Sequence, residues 1–357
     1  DGLLEDAAQI IGMDVVEMRR RNLIRDDAYP CTSASGMKLD DLSHHKTLEK
    51  LVETMGYDEL RAEQQRLRDQ GIYRGIGLVS MVEVTNPSPM FYGAGGAAIA
   101  SQDGATVRLD AGGALHISSS ITEQGQGTNA IMAQIAAGVF GVDIERVRVT
   151  TGDTATVPYG GGTWASRGAG IGGEAMLQAA YALKQQVLDV AAVILQSEAA
   201  KLDIQAGEIV DLGTDTSRMA LSDLGRIVYY RGNELPSDLK PELVATRHYR
   251  VTDFPFVFTN GAMAAHVEVD IETGFVKVLK FWAVEDCGRV INPQLVDEQV
   301  RGGVVQGIGG ALYEECIYSE DGQMLNATMA DYLVPMAGEM PDMVVGHVET
   351  PTKEGAL

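Results

Sequence analysis

The residues best suited to chemistry sit in three glycine-rich runs. The first is Glu123-Gln124-Gly125-Gln126-Gly127. Glycines at a helix entry leave backbone N–H groups open, where anions and polar ligands are favoured. A glutamine amide offers donors and an acceptor together, which suits the edge of a polar heterocycle. A tight turn with a solvated glutamine is the plainer alternative.

The second run starts at Gly152-Asp153-Thr154 and continues from Gly160-Gly161-Gly162-Thr163-Trp164-Ala165-Ser166-Arg167-Gly168 to Gly173. Gly168, Gly170 and Gly173 match the dinucleotide fingerprint literally. That reading needs a strand directly before and an acidic residue on a second strand about 20 residues later. Here a loop precedes and a long helix follows. An anion cradle feeding a helix N-terminus fits better, with the Thr163 and Ser166 hydroxyls and the Arg167 charge close by. Ordinary turn glycines are the alternative. The third run is Asp286-Cys287-Gly288-Arg289-Val290-Ile291-Asn292-Pro293, then Gln299 through Gly310 with Gln306 between glycines. Glycines along a helix permit close approach of a backbone or flat ligand, at about 1 kcal/mol each relative to alanine. Cys287 has no identifiable partner and reads as a buried, inert thiol.

Elsewhere reactive residue types are scattered. The histidines (His44, His45, His116, His248, His266, His347) show no metal-ligand spacing, and no nucleophile elbow or Walker loop is present. Cys31, Cys287 and Cys316 are far apart, which argues against a disulfide framework, a structural zinc site or an iron–sulfur cluster and for a reducing, cytoplasmic setting. A net charge of -22 repels nucleic acid unless a basic patch is segregated. The one basic run, Arg19-Arg20-Arg21, reads as a solvated helix end, and His44-His45 as solvent-facing. No apolar stretch is long enough to span a membrane, and no signal peptide is visible.

These runs need elements to hold them. A chain of 357 residues, 45% hydrophobic, predicts two compact lobes. Residues 2–22 read as two helices with Asp14 capping the second, and 47–69 as an amphipathic helix broken at Gly56. Gly75–Val84 reads as a buried strand, 86–97 as loop, and 105–110 with 114–120 as a hairpin turned at Gly112-Gly113. A helix over 128–141, a strand over 146–151 and a long helix from Gly173 to Lys201 follow. Residues 202–246 read as a polar surface excursion. A strand at 247–252, a hairpin 264–271/275–285, a helix over 295–315 and a strand or two in 323–348 complete the chain. The order hairpin, polar loop, helix occurs in Val107–Gly141 and again in His266–Glu315. This predicts an α+β fold of two related mixed α/β units facing a shared site. The expected divisions are a helical lead-in (1–74), a first unit (75–246) and a second (247–357).

Six motifs in order carry a resemblance through essentially the whole chain. They are Glu17-x-Arg19-Arg20-x-Asn22, Gly125-Gln126-Gly127, Gly152-Asp153-Thr154 with Gly162-Thr163-x-x-Ser166-Arg167, Asp286-x-Gly288-x-x-x-Asn292-Pro293, Gln299-x-x-Gly302-Gly303-x-x-Gln306-Gly307-x-Gly309, and Glu349-Thr350-Pro351. Together they resemble the molybdenum-binding subunits of the xanthine dehydrogenase, aldehyde oxidase and aerobic carbon monoxide dehydrogenase family. Opening on Asp1 inside a helical pattern and ending on Gly355-Ala356-Leu357, the chain reads as a C-terminal piece of such a subunit.

The resemblance implies a molybdenum–molybdopterin cofactor, in bacteria often the cytosine dinucleotide, with no metal ligand from the protein. It implies cofactor contacts from Gly125, Gln126, Gly127, Thr163, Ala165, Ser166, Arg167, Gly168 and Gln299. Relatives often carry serine where this chain has Gly168, so that contact would be backbone only. The stretch Val84, Thr85, Asn86 and Pro87 would line the substrate pocket. The implied activity is hydroxylation of an N-heterocycle or aldehyde with water-derived oxygen, assisted by a glutamate base expected just beyond Leu357. Iron–sulfur clusters and FAD would sit on partner domains or subunits, in a dimer of heterotrimers or a similar assembly. A carbon monoxide dehydrogenase branch and a non-catalytic scaffold are the alternatives.

Overall fold

Helix caps and strand alternation set the N-terminal part. The computed structural model describes residues 1–89, 91, 99–252 and 257–352. Helix α1 (Gly2–Ile11) ends at Gly12, whose φ of 67° is the left-handed stop that glycine accepts without strain. Helix α2 (Val15–Asn22) is capped by the Asp14 carboxylate, which accepts from the Val16 and Glu17 N–H groups. A short β1/β2 pair (Cys31–Thr32, Lys38–Leu39) leads to α3 (His44–Met55) and α4 (Tyr57–Arg68), broken at Gly56. Strand β3 (Tyr73–Thr85) follows.

Three expectations fail here. The arginine run is not a solvated helix end: Arg19 is completely buried and donates to the Leu78 carbonyl of β3, while Arg20 pairs with Glu49 at the surface. A guanidinium reaches a carbonyl on another element in a way composition cannot reveal. His44 is likewise buried, and burial lowers its pKa, followed by the influence of His45. Strand β3 is an edge strand in which Leu78 is the fully buried side chain, not a strand buried on both faces.

The middle of the chain builds a sheet from alternation. In β4 (Asp103–Leu109) and β5 (Leu115–Ser119), Ala105, Val107, Leu109, Leu115 and Ile117 point inward with period two. Their turn needs Gly113, where a Cβ would sit 2.9 Å from the Ser222 nitrogen at a φ of +80°. Helix α5 (Thr128–Phe140) then crosses to β6 (Val147–Thr150), which runs parallel to β5. Helix α6 (Glu174–Leu195) packs against α5, β4 and β10 (Val244–Tyr249), burying Met176, Ala180, Leu183 and Val187 at helical spacing. The strand order is β10-β4-β5-β6. Residues 202–246 are no irregular excursion. They contain the three-stranded sheet β7 (Leu202–Gln205), β8 (Glu208–Asp211), β9 (Thr216–Ala220) and helix α7 (Leu221–Tyr230). Strands of four or five residues, split by a tight turn at Ala206-Gly207, are too short to stand out as alternation.

The last part repeats the plan. Hairpin β11 (Val257–Val269) and β12 (Val276–Asp286) turns at Gly274. Helix α8 (Pro293–Leu312) crosses to β13 (Asp342–His347), parallel to β12, and the sheet order is β13-β12-β11-β3. Each four-stranded sheet is thus an antiparallel hairpin extended on one side by an antiparallel or edge partner and on the other by a parallel strand reached through a helix. The repeat legible as hairpin, loop, helix is present in both. By contacts the chain divides into an outer unit, Asp1–Glu83 with Phe258–Pro351, and a middle unit, Val84–Val257 with Thr352. The sequence boundaries at 74/75 and 246/247 differ from these because β3 joins the sheet of β11, and β10 the sheet of β4. The expected loop at 86–97 lies partly outside the described residues.

Candidate functional site

The middle unit has two glycine-rich helix entries, and they differ in what fills them. At the start of α5, the Glu123 carboxylate accepts the N–H groups of Gly125 (2.8 Å), Gly127 (3.0 Å) and Asn129 (2.9 Å). The anion this entry attracts is therefore supplied by the chain itself. Desolvation raises the Glu123 pKa, but the bonds from Asn129, Gly127 and Gly125 outweigh it, and the net shift is downward. Gln126 also works inside the loop. It accepts from the Gln124 N–H (2.6 Å) and donates to the Thr122 carbonyl (3.0 Å) and the Thr128 hydroxyl (2.7 Å). Gly125 faces open space at a φ of +100°.

The second entry is open. Residues 168–173 form a π-helical turn that runs directly into α6, so one continuous rod starts at Gly168. Ala165 and Ser166 hold positive φ of 50° and 51°, conformations that cost non-glycine residues about 1–3 kcal/mol each and gather at functional sites. Arg167 follows in the right-handed region. A left-to-right alternation turns successive N–H groups to one side and makes an anion-binding concavity. Among the described residues the N–H groups of Ala165, Ser166, Gly168 and Ala169 donate to no internal partner, and the Ser166 side chain is exposed. Gly168 would admit a Cβ, its nearest neighbour being Ile121 at 3.6 Å, so serine could stand there.

Thr163 stitches the two loops together. Its hydroxyl accepts from the Thr122 N–H (2.7 Å) and donates to the Thr122 carbonyl (2.8 Å). Arg167 points inward. It is fully buried, its Nε donates to Asp103 (2.8 Å) and its Nη1 to the Ala100 carbonyl (3.1 Å), and it stacks 5.7 Å from the Trp164 ring. Asp103 also accepts from Ser120 (2.8 Å) and the Gly162 N–H (3.1 Å). Burial raises the Asp103 pKa, with Arg167 and Ser120 pulling the other way. Gly160 and Gly161 are glycine for this packing: a Cβ would sit 2.2 Å from the Ser120 hydroxyl or from the Ala100 carbonyl.

Of the proposed substrate-lining residues, Val84 and Thr85 end β3, Pro87 is buried, and Asn86 lies on the π-turn. A Cβ on Gly170 would fall 2.0 Å from the Asn86 amide nitrogen. The Asn86 carbonyl oxygen is buried without a hydrogen-bond partner among the described residues, at a backbone φ of 45°.

Gln299 belongs to the outer unit. It stands on an exposed face of α8 that continues through Gly302, Gly303, Gln306 and Gly310, each of these glycines having nothing within 4 Å of a Cβ. In the same unit, the two motifs Asp286–Pro293 and Glu349–Pro351 meet. Buried Asp286 accepts from the Gly288 and Thr350 N–H groups, both at 3.0 Å, and from Ser43 (2.6 Å). Cys287 is exposed, against expectation. Desolvation of its sulfur and the charge of Asp286 push its thiol up to about 11, which favours the protonated form.

Among the described residues no three His, Cys, Asp or Glu side chains converge as a metal site, and no helix is long and apolar enough to cross a membrane. The second entry thus presents backbone N–H groups and the exposed Ser166 hydroxyl. Glu123, Asp103 and Ser120 went unassigned at the sequence level. An acid just ahead of a helix is a readable signal for Glu123, whereas Asp103 lies 64 positions from Arg167 and has none.

One family model, the molybdopterin cofactor-binding domain, matches this chain over residues 50–341. The chain belongs to that family. It is 36% identical to the nicotine 6-hydroxylase large subunit of Paenarthrobacter nicotinovorans, over 99% of this chain and 43% of that protein. It is 31% identical to the carbon monoxide dehydrogenase large chain of Hydrogenophaga pseudoflava, over 98% and 43% respectively. The solved quinoline 2-oxidoreductase of Pseudomonas putida 86 superposes with a TM-score of 0.89 at 34% identity, over 99% of this chain and 44% of that one. The chain spans under half the length of these relatives.

Proposed function

We propose that this chain is the cofactor-holding part of a molybdenum hydroxylase that oxidises an electron-poor carbon of an N-heterocycle with oxygen from water. The observation that carries the reading is the open N–H concavity at Ala165, Ser166, Gly168 and Ala169, feeding a helix. A pyranopterin needs such a surface: its anionic groups take backbone N–H donors, its polar edge takes amides, and its dithiolene holds the metal. When bound, the cofactor supplies the two-electron oxidation itself.

The residues here bind and orient. Ala165, Ser166 and Gly168 offer donors to the phosphate or pterin, Gly125 leaves open space for it beside the first loop, and Thr163 fixes the spacing between the two loops. Gln126 and Gly127 shape the first loop from within, while Gln299 offers a free amide. Arg167 acts from below the cradle. Asn86, Pro87, Thr85 and Val84 contribute to the substrate side. The cytosine dinucleotide form, iron–sulfur and flavin partner subunits, a dimer of heterotrimers and a cytoplasmic setting belong to the same proposal. An N-heterocycle is favoured because two of the relatives above are named for nicotine and quinoline. Carbon monoxide is the second reading, on the match to a carbon monoxide dehydrogenase chain.

The test is isotopic. The full-length protein with its partner subunits is incubated in H2-18O with a panel of N-heterocycles, aldehydes and carbon monoxide. An N-heterocyclic product heavier by one 18O supports the proposal. Oxidation of carbon monoxide alone moves it to the second reading, and no oxidation with a loaded cofactor supports a scaffold instead.

A further inference from the structure

The sequence marks Arg167 as a cofactor contact, but the structure turns its guanidinium away from the concavity. We propose that Asp103 and Arg167 form a positioning pair. Held inside the loop, they set the shape that presents the N–H groups of Ala165, Ser166 and Gly168, and Arg167 itself touches no ligand. This inference rests on the reading of that loop as a cofactor cradle.

The geometry separates the two faces of the loop. Both side chains are completely buried, and one carboxylate gathers Arg167, the Ser120 hydroxyl and the Gly162 N–H. The glycines at 160 and 161 are pressed against this cluster with no room for a Cβ, so the inner face is closely packed. On the outer face, Gly162 has nothing within 4 Å of a Cβ and Ser166 is exposed. Arg167 is also the residue between the two strained positions and the π-turn. Fixing its side chain from below therefore fixes the backbone on both sides. A planar fork held by one carboxylate and one carbonyl sets direction as well as distance, which a lysine could not do. The concavity thereby holds an anion through backbone dipoles while the nearby cation is already neutralised.

The two roles make opposite predictions for Asp103→Asn. If Arg167 were a ligand, removing its partner charge would free it and strengthen cofactor retention. If it positions the loop, the same change loosens the cradle. The experiment expresses the full-length protein with its partners and compares Asp103→Asn, Arg167→Met and the milder Ser120→Ala. Leu183→Ala, in the core of the same unit, controls for general destabilisation. Pterin released from purified protein is quantified by fluorescence, and amide hydrogen exchange is followed at Gly161, Gly162 and Thr122, whose N–H groups are bonded in or beside this loop.

Pterin content is expected to fall about tenfold or more in Asp103→Asn and Arg167→Met, which for a site near full occupancy corresponds to about two decades of affinity. Ser120→Ala moves the same way by less, and Leu183→Ala retains its pterin. Exchange accelerates at the three loop amides in the pair variants and across the whole unit in Leu183→Ala. Unchanged or increased pterin in Asp103→Asn overturns the inference, as does loss in proportion to melting temperature alone. Should wild-type protein carry no pterin, the cofactor reading fails, and the exchange data still decide the pair: local acceleration supports it and uniform acceleration overturns it. Should the pair variants not fold, Ser120→Ala carries the same comparison.

Discussion

Glu123→Ala should cost the middle unit about 2 kcal/mol, a value that follows from what the carboxylate holds. Three N–H groups at 2.8, 2.9 and 3.0 Å converge on it. Bonds to a charged group contribute about 1.5–3 kcal/mol each when fully desolvated. Glu123 is only half-buried, and water replaces much of that when it is removed. The net loss should therefore approach the upper end of measured N-cap deletions, about 0.5–2 kcal/mol. The loss reaches the whole unit because α5 seats Met132, Ala136 and Phe140 in its core. For a unit spanning residues 84–257, the melting midpoint should drop by about 4–8 °C, read by circular dichroism. Glu123→Gln keeps an acceptor and should fall in between. The pH dependence adds a second test. The folded-state pKa lies below the ordinary 4.5, so the stabilisation is fully present above that pH and is lost as pH falls through the folded value. The gap between wild type and Glu123→Gln should close in that acid range. A midpoint for Glu123→Ala within 1 °C of wild type, about the scale of measurement error, would refute the claim that this acid closes the helix entry.

Other perturbations have equally definite outcomes. Gly161→Ala places a Cβ 2.2 Å from the Ala100 carbonyl and should destabilise the middle unit by about 1–3 kcal/mol in urea titration, whereas Gly302→Ala, in open space on α8, should be neutral or slightly stabilising. Asp286→Ala strands the Gly288 and Thr350 N–H groups and the Ser43 hydroxyl, so the outer unit should lose about 3 kcal/mol by the same assay. Cys287 should alkylate slowly at pH 8 despite its exposure, with a rate that keeps rising toward its pKa of about 11; a plateau below pH 9 would contradict the assigned environment.

Much of the fold was legible because local patterns and tertiary demands agreed. Ala105, Val107 and Leu109 alternate, Gly112-Gly113 marks the turn, and α6 is a long run of strong helix formers. The repeated hairpin–helix order was visible because each copy uses the same sequence of elements. What stayed hidden required partners distant in sequence. Arg19 looked solvated because Leu78 is 59 positions away, and Arg167 looked like a ligand because Asp103 is 64 positions away. The short strands between 202 and 220 hold too few residues for a period to emerge. At the candidate site the residue types were readable and their directions were not. Gln126 and Arg167 carry the right donors but spend them inside the loops, leaving the concavity to backbone N–H groups that no side-chain pattern announces.

The proposed role requires this chain to hold a molybdenum–pterin cofactor in the cradle at 165–169. The direct measurement is the molybdenum and pterin content of the full-length protein, purified with its partners from cells that load other molybdenum enzymes. The account predicts metal and pterin in equal amounts, near one of each per polypeptide, and loss of both together in Arg167→Met. Protein that is folded, assembled and free of both would contradict it.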